Sequence, residues 1–92
     1  MDNEGRHIPN RLRKYRKANR YTQRDVANLL GLTGTCQLSR WEQGLSIPSF
    51  ENLLKLSIIY KTLTEELYYD LRQELCKEIS ENGKGFKAKN TK

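Results

Sequence analysis

Nine cations fall between residues 6 and 40: Arg6, Arg11, Arg13, Lys14, Arg16, Lys17, Arg20, Arg24 and Arg40, opposed there by Asp25 alone for a net +8. Groups gathered this way neutralise phosphates and release the counterions that surround a polyanion. The rest of the chain has a different sign. Residues 41–82 set Lys55, Lys61, Arg72 and Lys77 against Glu42, Glu51, Glu65, Glu66, Asp70, Glu74, Glu78 and Glu81, a net −4. Residues 1–5 carry −2, and Lys84, Lys87, Lys89 and Lys92 add +4 at the end. A basic first half beside an acidic second half is the footprint of a polyanion binder with one working face. On charge alone, a solvated helix surface would look the same.

Other chemistries lack their parts. His7 is the single histidine, and Cys36 and Cys76 lie forty positions apart with no C-x-x-C pair, so no metal-ligand set is present. No base is paired with a nucleophile, and no glycine-rich phosphate loop occurs. A chain of 92 residues buries only about two-thirds of its unfolded surface, enough for one small core but not for a deep cleft. Neither an enzyme, a metal nor a cofactor is expected. The longest apolar stretch, residues 53–60, is interrupted by Lys55 and Ser57 and falls short of the roughly 18 residues a membrane span needs. Asp2 and Glu4 stand where a signal peptide would be basic. The expectation is a cytoplasmic protein with reduced thiols and no membrane contact.

These cations need elements to hold them. Ile8, Leu12 and Tyr15 recur at helical spacing after Pro9, predicting a first helix over residues 9–19. Thr22 and Asp25 form a capping pair for a second, with Val26, Ala27 and Leu30 inward and Gly31 as its stop. Residues 35–43 put Leu38 and Trp41 on one face of a third, ended by Gly44. Pro48 and Ser49 open a fourth, whose Phe50, Leu53, Leu54, Leu56 and Ile58 predict a central helix buried from several sides. A fifth starts near Thr62 or Thr64, with Glu65 and Glu66 in its first turn, and runs toward Ile79. Its Leu67, Leu71, Leu75 and Ile79 wind around the helix by about 40° per step, so one core cannot cover them all. The predicted division is a flexible start over residues 1–7, one domain over 8–80 and a flexible basic tail over 81–92.

Two short helices joined by a tight glycine turn, the second polar outward and apolar inward, describe a helix-turn-helix unit. Leu12, Arg13, Tyr15 and Arg16, then Tyr21, Thr22, Gln23, Val26, Ala27, Leu30, Gly31 and Leu32, run in one order. Leu38 to Gly44, Pro48, Leu53 and Leu56 continue it. This arrangement resembles the lambda-repressor-like domains, the Cro/CI and Xre-type regulators of bacteria and phages. The implied fold is all-α: a compact five-helix lambda-repressor-like DNA-binding domain with an extended C-terminal helix.

The resemblance implies roles residue by residue. Arg16 and Glu42 would pair at the core edge beneath the DNA-facing surface. Gln23 would address a phosphate from the first turn of helix two. Helix three would enter the major groove of double-stranded DNA N-terminus first, offering Thr33, Thr35, Cys36, Gln37 and Arg40, with Gln43 further along. Arg40 would grip a guanine edge or hold a phosphate. Arg11, Arg13, Lys14, Lys17 and Arg24 are read as phosphate neutralisers. Three departures stand out. Gly31 to Leu38 is seven steps where the family usually has six, with Gly34 as the expected accommodation and either Thr33 or Thr35 as the cap. Leu45 and Ser46 replace a common basic residue, and Arg20 replaces a common glycine.

Cys36 admits two readings, a redox switch at the groove or a semi-buried thiol, and Cys76 is expected to pack between helices. Two functions follow. One is a transcriptional regulator, a repressor acting as a homodimer, with Tyr68, Leu71, Leu75 and Ile79 as its seam unless the long helix folds back on its own domain. The other is an interaction module such as an antitoxin, with a protein partner.

Overall fold

The computed structural model describes residues 7–84. They form six helices, α1 (Leu12–Ala18), α2 (Gln23–Leu30), α3 (Cys36–Glu42), α4 (Phe50–Ile59), α5 (Thr64–Leu67) and α6 (Tyr69–Asn82). No strand occurs among the described residues. Local chemistry sets the starts. The Thr22 hydroxyl accepts from the Asp25 N–H (3.0 Å) while the Asp25 carboxylate accepts from the Thr22 N–H (2.9 Å), a complete capping box for α2. Ser49 caps α4 through the Asn52 N–H.

Four helices end alike, each on a residue with positive φ: Arg20 after α1, Gly31 after α2, Gly44 after α3 and Lys61 after α4. At each end the next N–H reaches back over the last turn, from Tyr21 to Arg16, Leu32 to Ala27, Leu45 to Arg40 and Thr62 to Ser57. This closure satisfies carbonyls that would otherwise be orphaned.

The core gathers Leu12, Val26, Leu30, Leu38, Trp41, Leu56, Tyr60, Leu67 and Tyr68. Ala27, 2 % exposed, is small where α2 is packed tightly, and a larger side chain there would overpack the contact.

Several expectations need correction. The first helix begins at Leu12, because Asn10 folds into a turn in which its Oδ1 accepts the Leu12 N–H (3.0 Å). The fourth helix is not buried from several sides. Leu56 is its only buried residue, while Phe50, Leu54 and Ile58 are 74 %, 42 % and 73 % exposed. Their four-residue spacing forms a stripe facing away from Leu53, Leu56 and Ile59, which meet the core.

The single long fifth helix is two helices, α5 and α6, parted at Tyr68 (φ −121°, ψ 37°). There the Leu67 carbonyl accepts the Arg11 N–H (2.8 Å), and both Leu67 and Tyr68 turn into the core. Cys76 packs between no helices and is exposed, as is Cys36. Residues 81 and 82, assigned to the tail, are helical. His7, assigned to a flexible start, is held by the Gln43 carbonyl. Residues 1–6 and 85–92, the rest of those two predicted segments, lie outside the described residues. No helix among the described residues is long and apolar enough to cross a membrane.

Candidate nucleic-acid interface

Behind the third helix sits a polar joint. The Arg16 guanidinium forks onto Glu42, with Nε to Oε2 at 2.6 Å and Nη2 to Oε1 at 3.1 Å. Its remaining Nη1 donates to the Tyr21 carbonyl (3.0 Å), and Gln23 Nε2 donates to Glu42 Oε1 (3.0 Å). One carboxylate thereby ties α1, α2 and α3. Both side chains are nearly covered, 10 % and 5 % exposed, so each charge depends on the other once water is excluded. The hydrogen bond to Glu42 raises the Arg16 pKa further above its ordinary value. The pair anticipated from the resemblance is present with bidentate geometry. Gln23 joins it, directing its amide donor inward to Glu42.

The opposite face of α3 is open. Cys36, Gln37, Arg40 and Gln43 are all exposed, whereas Leu38 and Trp41 are buried at 0 % and 2 %. Over the eight residues from Cys36 to Gln43, helical geometry sets Cys36, Arg40 and Gln43 on the side opposite Leu38 and Trp41, with Gln37 at the edge between them. A cleft of about 430 Å³ is lined by Leu32, Thr33, Gly34, Cys36, Gln37, Arg40 and Ser46. It joins the turn before α3 to the outer face of the helix. Four of the anticipated residues, Thr33, Cys36, Gln37 and Arg40, thus meet at one concavity. Ser46 meets them there as well. Thr35 occupies the capping position, half-buried, but its side chain makes no capping bond. Gly34 keeps an ordinary φ, so the longer turn is not accommodated through a left-handed glycine. Gln43 donates to the Ser39 hydroxyl (2.8 Å).

The other anticipated cations divide. Arg24 is exposed on α2. Arg11 forks onto Asp70 at the start of α6, with Nε to Oδ2 at 3.1 Å and Nη2 to Oδ1 at 3.2 Å, and lies 4.6 Å over the Tyr69 ring. Lys14 also faces that carboxylate, and together with Arg11 it holds Asp70 below the usual carboxylate range, chiefly through the Arg11 hydrogen bonds. These two cations therefore cluster at the α1–α6 junction, and Arg11 is already answered by a carboxylate.

The late stripe is also graded. Tyr68 is buried in the core at 8 % exposure, Leu71 is half-buried, and Leu75 and Ile79 are 46 % and 70 % exposed. An apolar groove of about 280 Å³ beside them is lined by Ile47, Leu53, Tyr68, Leu71 and Leu75 among others. Since α6 has no buried residue, it does not fold back over its own core. Sequence reasoning missed Asn10 and Ile47. A hydrophobic residue in a polar loop was the signal for Ile47. An Asn two residues before a helix start was the signal for Asn10.

Two short helices crossing behind a polar outer face, with a buried joint fixing their angle, define a helix-turn-helix DNA-binding domain. A helix-turn-helix family profile matches residues 12–67. That is more than half of the chain, which belongs to this family of lambda-repressor-like, Cro/CI and Xre-type proteins, DNA-binding regulators rather than enzymes. No curated protein and no solved structure gives a significant match to the chain.

Proposed function

We propose that this regulator represses transcription in the cytoplasm as a homodimer, reading a two-fold operator with α3 in the major groove of each half-site. The observation that carries the reading is the cleft where Thr33, Cys36, Gln37, Arg40 and Ser46 converge outside a helix whose inner face is fully buried. Arg40, with five donors in a planar fork, is the principal base-edge contact. Arg24 and the first turn of α2 supply phosphate contacts, with Gln23 held in place by Glu42. Arg11 and Lys14 contribute to the field from the α6 side.

One recognition helix reads only a few base pairs, so a second copy supplies the rest of the site, with half-site centres about 10 base pairs apart. The exposed Leu75 and Ile79, with half-buried Leu71 beside them, fit such a seam. Light scattering should find a dimer at micromolar concentration, and a monomer would remove the seam. The same uncovered helix supports a second reading, an antitoxin that clasps a protein partner through α6. A small toxin gene alongside, whose product co-purifies with this chain, would favour it.

Selection of bound fragments from random DNA tests the main reading. The selected sequence should bind with steep salt dependence, and Arg40→Ala should lose more on it than on random DNA. Equal losses on both would assign Arg40 to phosphate alone.

A further inference from the structure

The last carbonyls of α3 point toward an arm that precedes α1. The two N–H groups of Asn10 Nδ2 are shared among three carbonyls, those of Trp41 (3.2 Å), Glu42 (3.3 Å) and, within the arm, Ile8 (3.0 Å). His7 Nδ1 lies 2.6 Å from the Gln43 carbonyl, and the Ile8 N–H donates to the Gly44 carbonyl (2.9 Å). Four successive carbonyls, residues 41–44, thus receive donors from His7, Ile8 and Asn10. The other end of the Asn10 amide is committed too, since Oδ1 accepts the Leu12 N–H at the start of α1. The surroundings fix the orientation of this amide: three carbonyls require the NH₂ side and one N–H requires the oxygen.

We infer that Asn10 is a positioning residue for DNA recognition, an amide strut that joins the first turn of α1 to the last turn of α3 and sets the angle at which the recognition helix leaves the domain. The inference rests on the proposed reading of α3 as the base-contacting helix. Helix ends are where this angle is decided, because unsatisfied carbonyls there take whatever donor is near, and each different donor gives a different direction. A side-chain amide is suited to the place. It offers donors to one helix and an acceptor to another within a single planar group, whereas a carboxylate can only accept, and a serine hydroxyl has one donor on a side chain a bond shorter, which does not span both helices. The recognition helix contributes only Cys36, Gln37, Arg40 and Gln43 outward, and a small rotation moves all of them off their bases together.

Asn10→Ser and Asn10→Asp test this. Both keep an oxygen for the Leu12 N–H and are good residues at a helix start. Neither retains the amide donor to α3, and Asp places a negative charge against its carbonyls. For each variant two quantities are read at a temperature where thermal melts show it folded: the ratio of selected to random DNA affinity, and the hydrogen-exchange rates of the residue 43–45 amides. The expected result is a specificity ratio reduced by about tenfold, with nonspecific binding little changed, and faster exchange at residues 43–45. A ratio equal to wild type in both variants would overturn the strut. If the wild-type protein prefers no DNA sequence, the DNA reading fails, and exchange rates alone then decide the tie. Acceleration in both variants keeps the α1–α3 strut as a structural joint, and unchanged rates remove it.

Discussion

The two ends of α3 are built on opposite plans. At the rear of α3, every carbonyl from Arg40 to Gly44 has a partner, drawn from Leu45, Gly44, Asn10, His7 and Ile8, and the Glu42 side chain is gripped by Arg16 and Gln23. At the front, Thr35 makes no side-chain cap, and Thr33, Gly34, Cys36 and Gln37 are exposed around an open cleft. In the proposed reading α3 offers its first turns to DNA and so cannot spend them on its own fold. Its aim then has to come from the far end, as a lever is held at the handle. Changes at the rear should cost stability and specificity together, and changes at the front should cost binding alone.

The largest effect should follow from breaking the grip on Glu42. In Glu42→Leu the Arg16 guanidinium keeps its Tyr21 contact but loses its countercharge in a covered site, at a cost of about 3–5 kcal/mol in denaturant unfolding. Arg16→Met combined with Glu42→Leu should recover most of that loss, because no charge is then stranded. A double variant as unstable as the single one would show that the joint works through shape rather than charge.

Gly44→Ala comes next. The residue sits at φ 79°, and a Cβ there would lie 2.5 Å from the Ile8 carbonyl oxygen and 2.7 Å from the Ile8 nitrogen. The left-handed backbone and the displaced arm together should cost about 2–4 kcal/mol. Gly31→Ala shares the φ of 79° but meets nothing within 4 Å, so it isolates the backbone share at about 1–2 kcal/mol. Equal losses in the two would mean that the arm gives way freely, and the rear of α3 would then be less firmly held than its bonding implies.

These ends also show what a sequence can disclose. Gly31 and Gly44 announce their helix stops by residue type, and Thr22, Asp25 and Ser49 announce two starts. Arg20 and Lys61 hold the same left-handed turn at φ 64° and 56° without glycine, and nothing in their types predicts it. Periodicity found α4 but not its orientation, because Phe50, Leu54 and Ile58 make an apolar stripe as regular as a core face. The break at Tyr68 was hidden for a related reason: the Leu67 carbonyl leaves the helix for Arg11, fifty-six residues earlier in the chain. On the site, the Arg16–Glu42 pair and the outward set on α3 were legible from the resemblance and the helical spacing. The commitments of Gln23 to Glu42 and of Arg11 to Asp70 were not, since both are contacts between distant segments.

Acid should reach the front end indirectly. The place of α3 depends on α2, whose start rests on the Thr22–Asp25 box, and hydrogen bonds from Thr22 hold Asp25 below the usual carboxylate range. Asp70 is likewise lowered by Arg11. Groups with lowered folded pKa values contribute stability that is present above the ordinary carboxylate range and lost as pH falls through the folded values. Thermal midpoints should therefore be level between about pH 5 and 7 and decline below about pH 4. Asp25→Asn should flatten part of that decline, and an unchanged acid limb would place the loss elsewhere.

The smallest change in stability should come from Gly34→Ala, and it separates the two ends most cleanly. Gly34 has an ordinary φ, and a Cβ on it would meet nothing within 4 Å. Removing the glycine restricts the unfolded chain, so the folded state should gain about 0.4–1 kcal/mol or stay level. Yet Gly34 lines the cleft with Arg40 and Gln37, and if DNA closes over that cleft a methyl group stands in its way. The expected variant is at least as stable as wild type and weaker on its selected DNA. Full affinity in a protein of unchanged stability would place the DNA away from this turn. The front of α3 would then begin at Cys36.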